Sequence, residues 1–395
     1  MNSQKKAILW LSFTILDKSL HKTALLNVLD QFSKMGYNVS LIAMRSKRIV
    51  QTNNSKVRMF SFPLRYVPFF SLIMFTVMLF FLLPIYIIRL KPNYIIIDPN
   101  FHVIGAFPGL LVSKFKKVKL VLDIRTTPVE TKGFQGSMRK FWFSVSILIS
   151  KKLFNGITII TPMMKKELCC SFNLNPHKVG VWTSGVSIDL FNPQNFTSQS
   201  GKLKKKLGLC GKFVIFYHGI LTATRGLKET IQAIEILKHK YPDIVLFLLG
   251  SGPEVPFLNN FIVQKNLRDN VIIHSPVDQS VVPAFISVCD VGIVPLPHNR
   301  YWRFQSPLKL LEYLSMEKVI ILSDIPAHRM IIDRANCGVF TSVDTPIRIA
   351  EAIEFVYCNK KALKEWGKLG REIVKKEYTW QKVSKDLENY LLSIK

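Results

Sequence analysis

Ser306, Pro307, Lys309 and Glu312 stand within seven residues of one another, in the run S-P-L-K-L-L-E-Y-L-S-M-E. Ser306 is of the type expected at a helix N-cap, and Pro307 suits the first helical position, where no N–H is needed. A helix start gathers unpaired amides and the positive end of the dipole at one point, which suits a phosphate. Lys309 adds a mobile cation in the first turn. Glu312, three residues on, shares its face, and a carboxylate there is suited to accepting from sugar hydroxyls. A phosphate cradle with a hydroxyl reader beside it points to a nucleotide or a nucleotide-sugar. Lys and Glu at this spacing are also a common solvated pair, so the reading depends on the rest of the second half of the chain.

Two other stretches have the residue types for chemistry. Val118 to Ile124 reads as a strand running into the loop R-T-T-P-V-E, which places Asp123, Arg125 and Glu130 at a strand's C-terminal end. In open parallel sheets ligands bind at that end. The alternative is that Asp123 and Arg125 simply pair with each other at a loop. Gly250, Gly252 and Pro253 follow the apolar run Ile244 to Leu249. This pair of glycines lacks the third glycine and the downstream acid of a dinucleotide site, which disfavours a redox enzyme. The six cysteines (Cys169, Cys170, Cys210, Cys289, Cys337, Cys358) are scattered and form no metal-binding pair of pairs, as in a reducing compartment.

The elements that must position these residues repeat one pattern twice. Ala7 to Ile15 is an apolar strand, Thr23 to Met35 has helical spacing, Gly36 ends it, and Val39 to Ala43 is a second strand. Strand, helix, glycine, strand opens a doubly wound parallel sheet. Tyr94 to Ile97, Val118 to Ile124 and Ile157 to Ile160 continue it, with a loop expected over 98–107 and a helix over 137–153. A further helix opens at Thr161-Pro162. After the linker V-W-T-S-G-V-S-I-D-L-F-N-P, polar residues 194–200 and the Lys202–Lys206 cluster separate the halves. The pattern then restarts with strands at Phe213–Tyr217, Ile244–Leu249, Val271–His274 and Val291–Pro295. Ala362 to Ile394 reads as helical with a break at Tyr378-Thr-Trp380. The apolar start A-I-L-W-L-S-F-T-I-L has no small-residue cleavage site after it and reads as a strand rather than a signal peptide.

The 395 residues suffice for about two domains. The net charge of +28 is unevenly placed: residues 1–200 hold 26 Lys and Arg against 7 Asp and Glu, a net +19. A negatively charged partner is expected, nucleic acid or an anionic membrane. No zinc-finger spacing, aromatic RNA-binding signature or Arg-rich arm supports nucleic acid. The basic residues instead flank apolar segments, as around Phe141 to Ser150, which reads as a membrane-facing surface. Val67 to Ile88 is 22 residues without a charge, long enough for a span. A span would split the sheet, so a helix packed on the sheet with an apolar face in the membrane interface is preferred to a span or hairpin.

These residues, in this order, resemble the retaining glycosyltransferases of family 4. The carrying pieces are V-W-T-S-G-V-S-I-D-L-F-N-P, Y-H-G-I-L-T-A-T-R-G-L, L-F-L-L-G-S-G-P, C-D-V-G-I-V-P-L and S-P-L-K-L-L-E-Y. The likeness is specific over residues 180–395 and loose before them. It implies an α/β GT-B fold, two Rossmann-like doubly wound parallel-sheet domains with an interdomain cleft. Residues 1–195 would form an acceptor-binding domain carrying the membrane-associating segment 67–88. Residues 196–375 would bind the nucleotide-sugar, and 376–395 would pack back on the first domain. Glu312 would bind the ribose. The amides after Ser306-Pro307, through Leu310, would face the diphosphate together with Lys309 and Arg225. Gly250, Gly252 and Pro253 would lie near the base. Arg125 falls close to a position where many members have a histidine, so Asp123, Arg125, Arg225 and Lys309 are the candidate catalytic residues. Phe304 stands where the family has a second glutamate, eight positions before Glu312. The usual Gly-Arg pair is Gly219-Ile220, for which Arg225, Lys309, Arg300 or Arg303 could compensate.

The expected activity is metal-independent, cofactor-free transfer of a hexosyl or N-acetylhexosaminyl group from a nucleoside-diphosphate sugar. A lipid-linked saccharide acceptor in surface polysaccharide or glycolipid assembly is expected, with the protein cytoplasmic and peripheral or monotopic at an anionic inner membrane face. The alternative is a catalytically inactive GT-B membrane-associated partner subunit, suggested by Phe304 and Ile220. A soluble nucleotide-sugar epimerase fits the composition poorly.

Overall fold

The structure, a computed structural model, describes residues 6–15, 22–45, 57–63, 70–128, 133–299, 302–332, 336–342 and 345–394. Glu130 and Arg300 lie outside them, as does the start of the apolar segment at 67–69. The chain forms two compact units, residues 1–184 with 380–395, and residues 185–379.

The first unit runs β1 (Ala7–Ile15), α1 (Lys22–Lys34), β2 (Asn38–Arg45), β3 (Arg58–Pro63), α2 (Phe70–Leu90), β4 (Tyr94–Ile97), α3 (Phe107–Phe115), β5 (Lys119–Ile124), α4 (Gly133–Leu153), β6 (Gly156–Ile159), α5 (Pro162–Phe172) and β7 (Val179–Val181). The seven strands are all parallel, in the order β3-β2-β1-β4-β5-β6-β7. Strands covered on both faces read as unbroken apolar runs, and Y-I-I-I of β4 is buried throughout. Helix α5 starts as its sequence dictates, with Thr161 accepting from the amide of Met164 and Pro162 at the first position.

Helix α2 has the length and apolarity of a span, yet it is a crossover. It joins β3 to β4, parallel strands of one sheet, so it must run back along that sheet. Ser71, Phe75, Leu79, Leu83 and Ile87, four residues apart, form its buried side. Glycines let the next segment approach. A Cβ on Gly105 would lie 2.3 Å from the Thr76 carbonyl oxygen, and one on Gly109 would lie 2.6 Å from the Leu83 side chain. The region 98–107 therefore holds a short 3-10 turn, Phe101–Val103, leading into α3, where the sequence suggested only a loop.

The second unit holds α6 (Thr197–Lys206), β8 (Phe213–Ile220), α7 (Leu227–Leu237), β9 (Ile244–Ser251), α8 (Val255–Gln264), β10 (Val271–His274), α9 (Val282–Ser287), β11 (Val291–Val294), α10 (Leu308–Ser315), β12 (Val319–Ser323), α11 (Pro326–Ile332), β13 (Gly338–Thr341), α12 (Pro346–Cys358) and α13 (Leu363–Glu377). Its sheet is parallel, in the order β10-β9-β8-β11-β12-β13. Its core sets Ile215, Leu246, Ile293 and Ile321 of the strands against Ile231, Ile234, Ile349 and Ile353 of α7 and α12. The Lys202–Lys206 cluster belongs to α6, within this unit, and is not a linker. The final helix α14 (Trp380–Ser393) belongs to the first unit. There Tyr37 donates to Glu388 (2.8 Å), and the Tyr390 ring fills the space that Gly180 leaves open.

Candidate functional site

The winding of the second sheet reverses beside β8: β9 and β10 lie on one side, β11 to β13 on the other. In doubly wound sheets the loops part at the C-terminal ends of such a strand pair and leave a crevice for ligand. Three glycines shape this end. Gly226 has a left-handed φ of +66°, and a Cβ there would lie 2.1 Å from the carbonyl oxygen of Pro295, just beyond β11. That close approach holds the turn carrying Arg225 over the strand ends. Gly250, at φ +158°, brings β9 against β8, where a Cβ would lie 1.9 Å from the Gly219 carbonyl oxygen. A Cβ on Gly252 would lie 2.1 Å from the carbonyl oxygen of Leu221. The neighbouring backbone by itself accounts for glycine at 250 and 252. Pro253 lies exposed in the turn before α8.

Helix α10 crosses from β11 to β12 with its first turn at this end. Its register differs from the sequence reading by one residue. The cap position is Pro307, with φ −71° and ψ 120°, and the helix begins at Leu308 without a side-chain cap. Proline steers the residue before it to extended backbone, and Pro307 is itself extended. Ser306 therefore lies outside the cap position, buried, and Pro307 is not the first helical residue. The Leu310 amide is also unavailable to a ligand, because it donates to the Pro307 carbonyl at 3.1 Å. The amides of Leu308 and Lys309 head the helix, ahead of its first internal bond.

What fixes α10 is its inner face. Leu310, Leu311 and Leu314 are fully buried. Tyr313 donates to the Phe216 carbonyl at 2.9 Å, its ring lying on Gly292 of β11. Ser315 donates to the Phe191 carbonyl at 2.8 Å. Arg371 of α13 binds the carbonyls of Phe191 and Ser315 from the other side.

This scaffold brings together two cations and an acid. The Lys309 ammonium lies 3.6 Å from the Tyr217 ring centroid and beside Gly219, whose absent Cβ would sit 3.2 Å from it. Burial and the nearby Arg225 push its pKa well down, with Glu312 pulling the other way. The Arg225 guanidinium lies 4.4 Å from the Trp302 ring centroid. Among the described residues neither Arg225 Nε nor Trp302 Nε1 has a hydrogen-bond partner, and both atoms are buried. Glu312 is buried, with Oε2 3.2 Å from His218 Nε2 at the end of β8. That contact is off hydrogen-bond alignment, so the carboxylate retains its acceptor capacity. Tyr217, His218, Trp302 and Tyr313 were not singled out from the sequence. The only available signal was Y-H-G at a strand end. Phe304 is buried in the turn Trp302–Phe304, Ile220 is exposed at the end of β8, and Arg303 is exposed.

Asp123 and Arg125 lie in the first unit at the end of β5, and they meet through Trp182 instead of pairing directly. Asp123 accepts from Trp182 Nε1 (2.8 Å) and from the Thr158 hydroxyl (2.7 Å). Burial raises its pKa against the pull of Arg125 and these donors. Arg125 lies 3.5 Å from the Trp182 ring centroid and donates to the carbonyls of Trp182 (2.6 Å) and Thr183 (3.3 Å). Burial brings its pKa down to about 10. The pair holds the chain where it leaves β7.

Residues 199–373 match the family model "Glycosyl transferases group 1". The chain is 24% identical over 169 residues to alpha-D-kanosaminyltransferase of Streptomyces kanamyceticus, covering 43% of this chain and 42% of that one. It is 23% identical over 219 residues to spore coat protein SA of Bacillus subtilis, covering 52% and 56%. The chain thus spans about half the length of these relatives. The crystal structure of Anabaena Alr3699/HepE in complex with UDP-glucose superposes with a TM-score of 0.74 over 98% of this chain and 99% of that one, at 13% identity. Two parallel α/β sheets and this likeness over nearly the whole chain establish the GT-B fold, and residues 199–373 resemble the group 1 glycosyl transferases.

Proposed function

We propose that the protein is a retaining glycosyltransferase that takes its sugar from a nucleoside-diphosphate sugar. The observation that carries this reading is the convergence of Arg225, Lys309, the head of α10 and Glu312 at the end of the second sheet. The diphosphate fits between the two cations and the Leu308 and Lys309 amides, and Glu312 accepts from the ribose. The UDP-glucose in the Anabaena structure supports a donor of this class.

On this reading the bond from the anomeric carbon to the diphosphate oxygen breaks while the acceptor oxygen bonds to the same face. The acceptor proton passes to a leaving phosphate oxygen. Fixed cations and amides stabilise the charge growing on the diphosphate without reorganising. Lys309, with its depressed pKa, gains most from an anion's arrival. No resident metal or cofactor is required in this scheme. The acceptor we favour is a lipid-linked saccharide held by the basic first unit, in surface polysaccharide or glycolipid assembly on the cytoplasmic side. The unpaired cysteines are in keeping with that compartment.

The test is product formation from labelled nucleotide-sugars, with Arg225→Ala and Glu312→Ala alongside. Transfer that falls at least ~100-fold in both variants, and persists in a chelator, supports the proposal. Transfer unchanged in both variants overturns the site, and none from any donor favours a non-catalytic subunit.

A further inference from the structure

The helices α2, α3 and α4 lie in one layer. Each carries the chain onward to the next strand in the same direction across the sheet, from β3 to β4, β4 to β5 and β5 to β6, so right-handed crossovers put all three on one face. Contacts bind the layer. Gly105 and Gly109 take up against α2, the Phe101 and Trp142 rings meet at 4.6 Å, and Ser146 of α4 donates to the Asn100 carbonyl.

The outer side of this layer is apolar in a regular way. In α2 Phe70, Val77, Phe81, Ile85 and Ile88 are exposed at helical spacing, opposite the buried stripe, and Phe80 is exposed at their flank. In α3 they are Phe107, Leu111 and Phe115, four apart; in α4 they are Phe134, Phe141 and Leu148, seven apart. Phe81 is 66% exposed, Phe134 77% and Phe115 88%. Aqueous surfaces rarely carry so many aromatic side chains in adjoining stripes.

The charge on these three helices is one-signed and ordered, whereas α5, the next crossover in the same direction, carries Glu167 beside Lys165 and Lys166. The three helices contain six Lys and Arg and no Asp or Glu. Crossover helices run in one direction, so their C-terminal ends share an edge. There stand Arg89 in the last turn of α2 with Lys91 just beyond it, Lys114 in the last turn of α3 with Lys116 and Lys117 beyond it, and Lys151 and Lys152 in the last turn of α4. Helix dipoles favour cations at these ends, but dipoles do not explain the exposed phenylalanines. A second copy docked face to face would bring like-charged edges together. A bilayer offers both complements, apolar chains for the rings and anionic headgroups for the cations.

We propose that the outer face of α2, α3 and α4 is a monotopic docking surface for an anionic phospholipid bilayer. Phe81, Phe115, Phe134 and Phe141 enter the headgroup boundary, and the row of cations meets the lipid phosphates. This stands on the first unit alone and does not depend on the chemistry of the second.

The test is co-sedimentation of the full chain with phosphatidylcholine vesicles, with and without roughly one-third phosphatidylglycerol, at ~0.15 M salt. Two variants are compared, Phe81→Ser with Phe115→Ser, and Lys116→Glu with Lys117→Glu; melting and nucleotide binding by the second unit serve as controls. Wild type is expected on the anionic vesicles, with partitioning about tenfold or more weaker in each variant. Wild type left in the supernatant, or both variants sedimenting like wild type, overturns the proposal. A concentration-dependent dimer abolished by the phenylalanine changes overturns it too and assigns the face to a second copy. Vesicle binding without nucleotide binding would leave this surface standing and remove the transferase reading.

Discussion

Lys309 is where the chemistry of the site is most exposed to measurement. An unfolded lysine holds its proton up to about its ordinary 10.5, while the folded side chain gives it up earlier because of burial and Arg225. Between those two values the unfolded chain binds the extra proton, so stability rises with pH across that window. A diphosphate beside the amine reverses the balance and draws a proton in. Nucleotide binding within that window is therefore expected to take up protons, seen as a dependence of the calorimetric heat on buffer ionisation enthalpy. Lys309→Met should lose both that dependence and the stability slope; heats independent of buffer in wild type would speak against Lys309 meeting the phosphates. Glu312 is a sharper case of the same kind. Replacing it with Gln should weaken nucleotide binding by ~10- to 100-fold, with melting little changed, since among the described residues it meets His218 only off line.

At the scale of elements, α10 is only as well placed as the residues behind it. Arg371 is buried and holds the carbonyls of Phe191 and Ser315 together. Arg371→Met should leave the Ser315 carbonyl unsatisfied, with that of Phe191 kept only by the Ser315 hydroxyl, and cost about 1–3 kcal/mol, read as a lower denaturation midpoint, and it should weaken nucleotide binding without touching the ligand. Gly250→Ala should cost more than about 1 kcal/mol, because a Cβ there meets the Gly219 carbonyl oxygen in a left-handed backbone. An unchanged midpoint in either variant would contradict the close packing described. These supports explain what could be read in advance. The buried parallel strands were legible because their apolar runs are unbroken, and Val271–His274 holds to the residue. Helix α3 was missed because F-P-G-L-L-V-S-K-F is short and has proline and glycine at its second and third positions. The cap of α10 was misplaced because a Ser-Pro pair suits two registers, and only the backbone of Pro307 decides between them. The partners of Asp123 and Arg125 were illegible for a different reason: Trp182 is 59 residues from Asp123, and no local pattern announces such a contact.

The whole molecule divides its properties between two units. The second unit holds the proposed nucleotide site, and residues 199–373 match the group 1 model; the first holds the basic charge excess and the apolar helix layer. The C-terminal helix α14 returns to the first unit, where Lys119 donates to the Ile394 carbonyl and Tyr390 to that of Lys178. Two ligands should therefore leave separate footprints in hydrogen exchange. Nucleotide should protect 218–226 and 308–313, and anionic vesicles should protect α2 to α4. Protection of α2 to α4 by nucleotide alone would contradict this division. The most direct measurement of the central claim is calorimetric titration of the full chain with UDP-, GDP-, ADP- and CMP-sugars, beside Glu312→Ala. Saturable binding of one nucleotide class, at least ~tenfold weaker in a variant that melts like wild type, is the result predicted. Binding of none, or equal binding by Glu312→Ala, would contradict it.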